Sequence, residues 1–293
     1  MSLKKLICCV FILLGSTGFY TQEKPLVSDS ISIVSWNIQM LPNLYAPFSK
    51  YVRKKQRKRL PEIINYLNES PFDVVVLQEV FDFEIKRKLK KQLSENYPYI
   101  QMPIKKGFNL QFSNGIMILS KVPISYTSHV QFSKEKGNEK MAQKGCVLVS
   151  CKWKNQPIYI GGTHLNSLSQ EARRKQYKQI YNKIIEPFKS DSIPFFIAGD
   201  FNTNFSSRYY GDMMAILQLN NTPLVDSLPY TYAETNSWNS PNYNVWIDYI
   251  FYKKTKKEVI LNQYVIRPKT LIKDKKIDLS DHYGIVLTIG LIP

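Results

Sequence analysis

The sequence predicts an α/β fold built as a four-layer α/β/β/α sandwich, two mixed β-sheets flanked by helices. Three observations lead there. Nine apolar strand-like segments lie between residues 30 and 290, amphipathic helical patterns are set among them, and no repeat or low-complexity linker interrupts the run. Many strands and few helices in one uninterrupted chain favour two stacked sheets with the helices outside. With 293 residues and 44% hydrophobic content, the chain is long enough for a large core and too apolar to be disordered.

The elements follow in chain order. "SISIVSWNI" (30–38) reads as the first strand. A helix follows over 50–69, where Leu60, Ile63, Ile64 and Leu67 share one face. "DVVVLQEV" (73–80), "GIMILSK" (115–121), "GCVLVSCKW" (145–153) and "IYIGGTHL" (158–165) are apolar runs of strand length. A second helix is predicted over 169–188, with Ser169 as its cap and Glu171 in its first turn. The strands "FFIAGDF" (195–201), "WIDYIFY" (246–252), "VILNQYVI" (259–266) and "HYGIVLTIG" (282–290) complete the set.

Ahead of these, Lys4 and Lys5 precede an apolar run from Leu6 to Leu14 and then small residues to Gly18. That run is about half of what a bilayer crossing needs, so residues 1–18 read as a removable signal peptide. Cys8 and Cys9 sit inside the run rather than at its end, which argues against a lipid anchor. The expected organisation is a signal peptide (1–18), a short N-terminal segment (19–29) and one catalytic domain (30–293), secreted or periplasmic.

The formal net charge is +17; removing residues 1–18 takes away two lysines and no acid, which leaves +15. The cations cluster at 50–59, 86–92, 253–257 and 273–276, a pattern suited to nucleic acid or an anionic membrane. The first two clusters also read as solvated helix faces. Cys146 and Cys151, five apart in a strand, face opposite sides about 16 Å apart, so two buried free thiols are expected rather than a disulfide.

Polar residues repeatedly terminate the apolar strands. Asn37 ends the first and Glu79 the second, His164 ends another, and "FFIAGDFNTN" ends in Asp200 and Asn202. Asp248 lies within a strand, and Asp281 and His282 precede the last. Singly, each has a structural explanation: a turn at Asn37, a helix cap at Glu79, an Asx-turn at Asp200 and Asn202. Asp248 in an aromatic strand is harder to explain so, because a buried carboxylate needs a partner. Together they supply the oxygen ligands that Mg²⁺ takes, a base and anion-stabilising donors, the parts of a metal-assisted phosphodiester cleavage. The third histidine, His129, has no acidic neighbour and reads as structural or exposed.

The ordered set "WNIQ", "LQEVFD", "GGTHLN", "GDFNTN", "IDYIF" and "SDHYGI" resembles the endonuclease/exonuclease/phosphatase (DNase I-like) superfamily over about residues 30–290. The resemblance implies the same four-layer sandwich. It makes Glu79 the central Mg²⁺ ligand with Asn37 and Asp281 beside it, Mn²⁺ or Co²⁺ being alternative ions. It makes His282 the general base, Asp248 its orienting carboxylate and His164 a donor to a phosphate oxygen. Asp200 and Asn202 would hold the phosphate and the attacking water or, with His282, a second ion. "NIQMLP", "SNGIMILSKVPI" and "AQKGCVLV" are similar to the bacterial neutral sphingomyelinases, a secreted branch. In that branch an acid precedes a Lys-Gly pair; here Glu139, with Lys144 and Gly145, stands there as a substrate-binding candidate. The toxins of the branch carry a hairpin with paired aromatics before the final Asp-His, whereas this chain offers Leu271 and Ile272 among lysines.

The resemblance implies a secreted Mg²⁺-dependent phosphodiesterase that cleaves sphingomyelin at a phospholipid membrane surface into ceramide and phosphocholine. The alternatives are a secreted nuclease acting on nucleic acid, favoured by the charge, and a catalytically dead basic binding module, disfavoured by the complete set of polar strand ends. No obligate protein partner is inferred.

Overall fold

The computed structural model describes residues 30–42, 49–107, 111–133, 141–272 and 274–292. The expected signal peptide (1–18), the segment 19–29 and Glu139 lie outside the described residues. The elements are β1 (Ser30–Met40), α1 (Ser49–Glu69), β2 (Val74–Val80), α2 (Phe83–Leu93), β3 (Tyr99–Gln101), β4 (Met117–Ser120), β5 (Ile124–Gln131), β6 (Gly145–Trp153) and β7 (Gln156–His164). There follow α3 (Gln170–Ile180), a π-helical turn (Tyr181–Ile185), α4 (Glu186–Phe188), β8 (Phe195–Asp200), α5 (Arg208–Leu217), β9 (Asp248–Lys253), β10 (Glu258–Ile266), β11 (Lys269–Ile272), β12 (Lys275–Asp278) and β13 (Gly284–Leu291).

Two sheets carry the fold, a six-stranded one in the order β10-β13-β1-β2-β4-β3 and a five-stranded one in the order β5-β6-β7-β8-β9. Both are mixed: β1–β2 and β7–β8 are parallel, and the remaining pairs are antiparallel. Alternation along the strands sends one set of side chains between the sheets and the other toward helices. Ile31, Ile33, Val74 and Val76 meet Val147, Val149, Ile160 and Ile197 in the central core. On the outer face of the six-stranded sheet, Leu60, Ile63, Ile64 and Leu67 of α1 and Ile85, Leu89 and Leu93 of α2 pack on Val34, Trp36, Val75 and Leu77. Tyr177 and Ile180 of α3 and Met213 and Leu217 of α5 join the core from the five-stranded side. The α/β/β/α sandwich expected from the sequence is the fold observed.

Most strand ends match their apolar runs within one or two residues, and Ser169 caps α3 by accepting from the Ala172 N–H at 3.2 Å. β3, β5, β11 and β12 were not expected. β5 is a polar edge strand whose residues are half-buried or exposed, and β11–β12 is a separate lysine-rich hairpin with Leu271 68% exposed, so neither has an apolar period to read. Cys146 and Cys151 are buried and free, as expected. One expectation needs correction: the basic run 50–59 is not wholly a solvated face, because Gln56 and Arg59 of α1 turn inward, each 2% exposed.

Strand direction decides what meets at each end of the sandwich. β1, β2, β7 and β8 finish at the same end at which β6, β9 and β13 begin, because Asp200 pairs with Asp248, His164 with Asp200 and Ser35 with Ile285. Every polar strand end noted above is therefore delivered to one end. The β6–β7 turn, with Lys154 and Asn155 at positive φ, and the β9–β10 turn with Lys254 and Lys256 lie at the other.

The two sheets approach closely at Gly162 of β7. A Cβ there would come within 2.7 Å of Ile116 Cγ2 and 2.8 Å of Val76 Cγ1, both branched methyls of the facing sheet with little freedom to yield. Gly162→Val is expected to lower stability by about 1–3 kcal/mol through overpacking. The reading is a lower urea midpoint at unchanged slope; an unchanged midpoint would show that the sheets can part here without strain.

Candidate active site

Asp200 ends β8 fully buried, and the glycine before it has a steric reason. A Cβ on Gly199 would lie 2.2 Å from the Thr163 carbonyl oxygen, so only glycine lets β8 pair with β7 in this register. The chain then turns on itself: Asp200 Oδ1 accepts the Asn202 N–H at 2.9 Å, the Asx-turn foreseen for the pair. Asn202 sits at φ 49°, a region asparagine tolerates, and its Nδ2 donates to the Leu165 carbonyl at 3.2 Å.

On the facing sheet, β1 and β2 lose register between Asn37 and Met40. There Gln39 and Glu79 both adopt left-handed φ, 51° and 59°. Neither residue favours that region, and such strain persists where the surroundings over-determine it, most often at functional sites. Asn37 is nearly fully buried and donates from Nδ2 to Glu79 Oε1 and to Asp200 Oδ2, both at 3.2 Å. Its Oδ1 accepts the Gln39 N–H at 3.1 Å, so the amide holds carboxylates through its nitrogen. Asp281 receives the Gln39 Nε2–H on Oδ2 at 2.6 Å and the Ser280 hydroxyl on Oδ1 at 3.2 Å.

His282 and Asp248 are within hydrogen-bond distance, Nδ1 to Oδ2 at 2.9 Å, with Asp248 fully buried and His282 nearly so. The other ring nitrogen, Nε2, looks toward Asp200 Oδ2 at 3.8 Å, and the His282 carbonyl accepts from Trp36 Nε1 at 3.1 Å. Opposite, His164 Nε2 lies 3.5 Å from Asp200 Oδ2, 4.0 Å from Glu79 Oε1 and 3.3 Å from Lys144 Nζ, which also donates to the Leu165 carbonyl at 3.0 Å. Asn37, Glu79, Lys144, His164, Asp200, Asn202, Asp248, Asp281 and His282 are thus gathered at one place from both sheets. His129 is not among them; it sits on β5 bonded to the Tyr126 hydroxyl.

So many carboxylates in little water distort one another's titration. Burial, with Asp281 next, pushes Glu79 up to about 7. Burial, with Asp248 next, pushes Asp200 up to about 6. Burial also opposes charge on His282, but Asp248, Asp200 and Asp281 outweigh it and hold the imidazole well above its ordinary value. His164 is driven the other way, well below it, by burial and by Lys144 and His282.

A hard divalent cation fits this donor set. Glu79 and Asp281 repel one another at the strand ends, and charge at that point relieves both. Asp200, Asp248 and His282 also bring ligand atoms within 4.8 Å of one another, although the hydrogen bond between the last two accounts for much of that closeness. Asn202, expected with Asp200 and His282 around a second ion, donates from Nδ2 to the Leu165 carbonyl, so the atom it would offer an ion is Oδ1.

The site opens into a cleft of about 770 Å³ with Leu41, Phe81, Phe112, Met141, Leu168 and Tyr243 on its walls. Tyr232 stands edge-on to the His282 ring, centroids 5.1 Å apart. Sequence reasoning missed Gln39, Ser280, Tyr232 and Arg59. The first two sit inside the segments "WNIQ" and "SDHYGI"; Arg59 shares the 56-59-63-67 face of α1 with apolar residues, a signal that could have marked it as inward-facing.

A match to the Endonuclease/Exonuclease/phosphatase family runs over residues 34–282. The chain is 28% identical over 250 residues to Sphingomyelinase C 2 of Leptospira interrogans, aligning 77% of its own length but only 40% of that protein. It is 28% identical over 280 residues to Sphingomyelinase C of Listeria ivanovii, covering 84% of this chain and 82% of that one. In fold it is similar to a crystal structure of a beta toxin double mutant from Staphylococcus aureus with bound magnesium ions, with a TM-score of 0.73, 22% identity and coverage of 88% and 99%. With the sandwich, the converging strand ends and a family match across most of its length, the chain belongs to the Endonuclease/Exonuclease/phosphatase family.

Proposed function

We propose that the chain is a divalent-metal-dependent phosphodiesterase of phospholipase C type, acting on sphingomyelin or a related sphingophospholipid. The observation that carries this is the buried His282–Asp248 pair, aimed at Asp200 on the floor of an apolar-walled cleft. The similarity to sphingomyelinases supports this choice of substrate class. Export is part of the proposal and rests on the residue 1–18 pattern.

In the reaction a water oxygen bonds to phosphorus and the bond from phosphorus to the ceramide oxygen breaks. His282 Nε2 accepts the water proton, which passes on to the departing ceramide oxygen. Asp248 holds the ring and compensates its charge. Lys144 and His164 stand where phosphate oxygens would be met, and Asp200 and Asn202 orient the water. Glu79 and Asp281 would hold a Mg²⁺ ion, which supplies charge neutralisation at a phosphoryl oxygen. Asp248, Asp200 and Asp281 hold the His282 imidazole well above its ordinary value, the direction that makes it a stronger base.

The +17 charge favours the second reading, a nuclease, because cations supply most non-specific nucleic-acid affinity. Among the described residues lining the cleft, however, Lys144 is the single lysine or arginine, and aliphatic and aromatic groups make up much of the wall. A lipid-like substrate suits such a wall better than a polyanion. Offered sphingomyelin vesicles, phosphatidylcholine vesicles and plasmid DNA side by side with Mg²⁺, the protein is expected to release phosphocholine from the first and to stop in chelator. Cleavage of DNA alone would install the nuclease reading.

Two further outcomes follow from the site. His282→Ala and Asp248→Ala are each expected to lower kcat about 10² to 10⁴-fold with little change in KM, and the double variant should be little worse than His282→Ala. Losses that multiply fully in the double variant would show that the pair does not act as a unit.

Glu79, Asp200 and His282 all hold protons in the metal-free fold at pH values where the unfolded chain has released them. These groups therefore lower its stability as pH rises through about 6 and about 7. Mg²⁺ replaces those protons, so the Mg²⁺-induced rise in Tm should be larger at pH 8 than at pH 6. Equal shifts at the two pH values would count against metal binding at these carboxylates.

A further inference from the structure

Arg59 presents an unusual arrangement. It is a cation on α1, 2% exposed, with no carboxylate within 4.0 Å among the described residues. A buried charge without a counter-ion is costly unless hydrogen bonds satisfy it. Here Nη1 donates to the Leu279 carbonyl at 2.6 Å and the Ile38 carbonyl at 3.3 Å, while Nη2 donates to Gln39 twice, to its carbonyl at 2.9 Å and its Oε1 at 3.3 Å. The guanidinium plane also lies beside the Trp238 ring, 5.2 Å from its centroid. Burial drops its pKa to about 10, against the opposing pull of Asp281 and Glu79.

These bonds have a direction. Gln39 turns its Oε1 to the guanidinium and its Nε2 to Asp281 Oδ2, at 2.6 Å. Arg59 thereby fixes which way the Gln39 amide faces, and charge on its acceptor side strengthens the donor side. The same guanidinium grips the end of β1 at Ile38 and Gln39 and the segment before β13 at Leu279, the two stretches that carry Asn37 and Asp281. Gln56, one turn earlier on α1, adds a bond to the Leu41 carbonyl at 3.0 Å. The left-handed Gln39, at φ 51°, is held from both sides: its N–H by Asn37 Oδ1 and its carbonyl by Arg59.

We infer that Arg59 and Gln39 are positioning residues for the Asp281 carboxylate: the buried guanidinium orients the Gln39 amide, and that amide fixes the orientation of the carboxylate that would hold a divalent cation. The inference rests on the proposed reading of Glu79 and Asp281 as metal-holding groups. Partners of this outer kind commonly change metal affinity about 10 to 100-fold. Lysine cannot replace Arg59 here, because one ammonium cannot span four acceptors arranged around a planar fork.

The test is direct Mn²⁺ binding to the full chain, followed by electron paramagnetic resonance, with Tm of the metal-free protein measured alongside. Asp281→Asn gauges the carboxylate itself. Gln39→Met keeps the length of the side chain and removes both amide contacts; Arg59→Lys keeps charge and removes the fork. Both are expected to weaken Mn²⁺ binding about 10-fold or more, and Gln39→Met should add little in the Asp281→Asn background. Leu93→Ala, which opens a cavity beneath the C-terminal end of α2, should bind Mn²⁺ as the unaltered protein does. If Arg59→Lys proves too unstable to purify, Gln39→Met alone decides the matter. Should the unaltered protein bind no Mn²⁺, or Asp281→Asn bind it normally, the metal-holding reading falls and this inference with it. Should Asp281→Asn weaken binding while Gln39→Met leaves it unchanged, only the positioning role is overturned.

Discussion

One side-chain nitrogen joins the two sheets at the site. Asn37 Nδ2 donates to Glu79 on its own sheet and to Asp200 on the other. Asp200 is in turn paired in register with His164 and with Asp248, and Asp248 holds His282. The placement of every group in the cleft therefore depends on how far apart the sheets stand, which the apolar core between them determines. A bond of 3.2 Å is short enough that a change in sheet spacing of a few tenths of an ångström would be felt. That ties residues such as Gly162, with no chemistry of their own, to the geometry of the reaction.

Three residues around the site, Gln39, Glu79 and Asn202, occupy left-handed backbone although none is glycine. At Asn202 an Asx-turn explains the conformation locally. At Glu79 the support is tertiary: the next two N–H groups bond to the carbonyls of Gly115 and Met40, so the turn is clamped between neighbouring segments. Such sites lower stability in order to aim a side chain, and the apolar packing on both faces of each sheet offsets the cost.

How much of this was legible in the sequence varied with the physics of each element. Strands buried on both faces announce themselves as apolar runs, and a polar residue at the end of such a run is conspicuous; Asp200, Glu79 and His164 stood out for that reason. β5 and the β11–β12 hairpin bury too little to leave a period. Arg59 was hidden by company, since nine neighbouring positions include six lysines or arginines and a cation among cations reads as solvent-facing. Its burial becomes understandable only once the end of β1 and the segment before β13 are seen to present carbonyls on the same spot, a tertiary coincidence with no local trace. The pairing of Asn37 with Asp200 across the sheets is of the same kind.

The lysine-bearing turns β6–β7 and β9–β10 lie at the end of the sandwich opposite the carboxylate-rich cleft. Cations are not confined to that end, because the β11–β12 hairpin, with Lys269, Lys275 and Lys276, leads directly into Asp281 and His282. Positive charge therefore stands at both ends of the sandwich and flanks the carboxylates at one of them. A chain of net charge +17 arranged in this way attracts a polyanion whichever end leads, and added salt weakens that attraction at both ends alike.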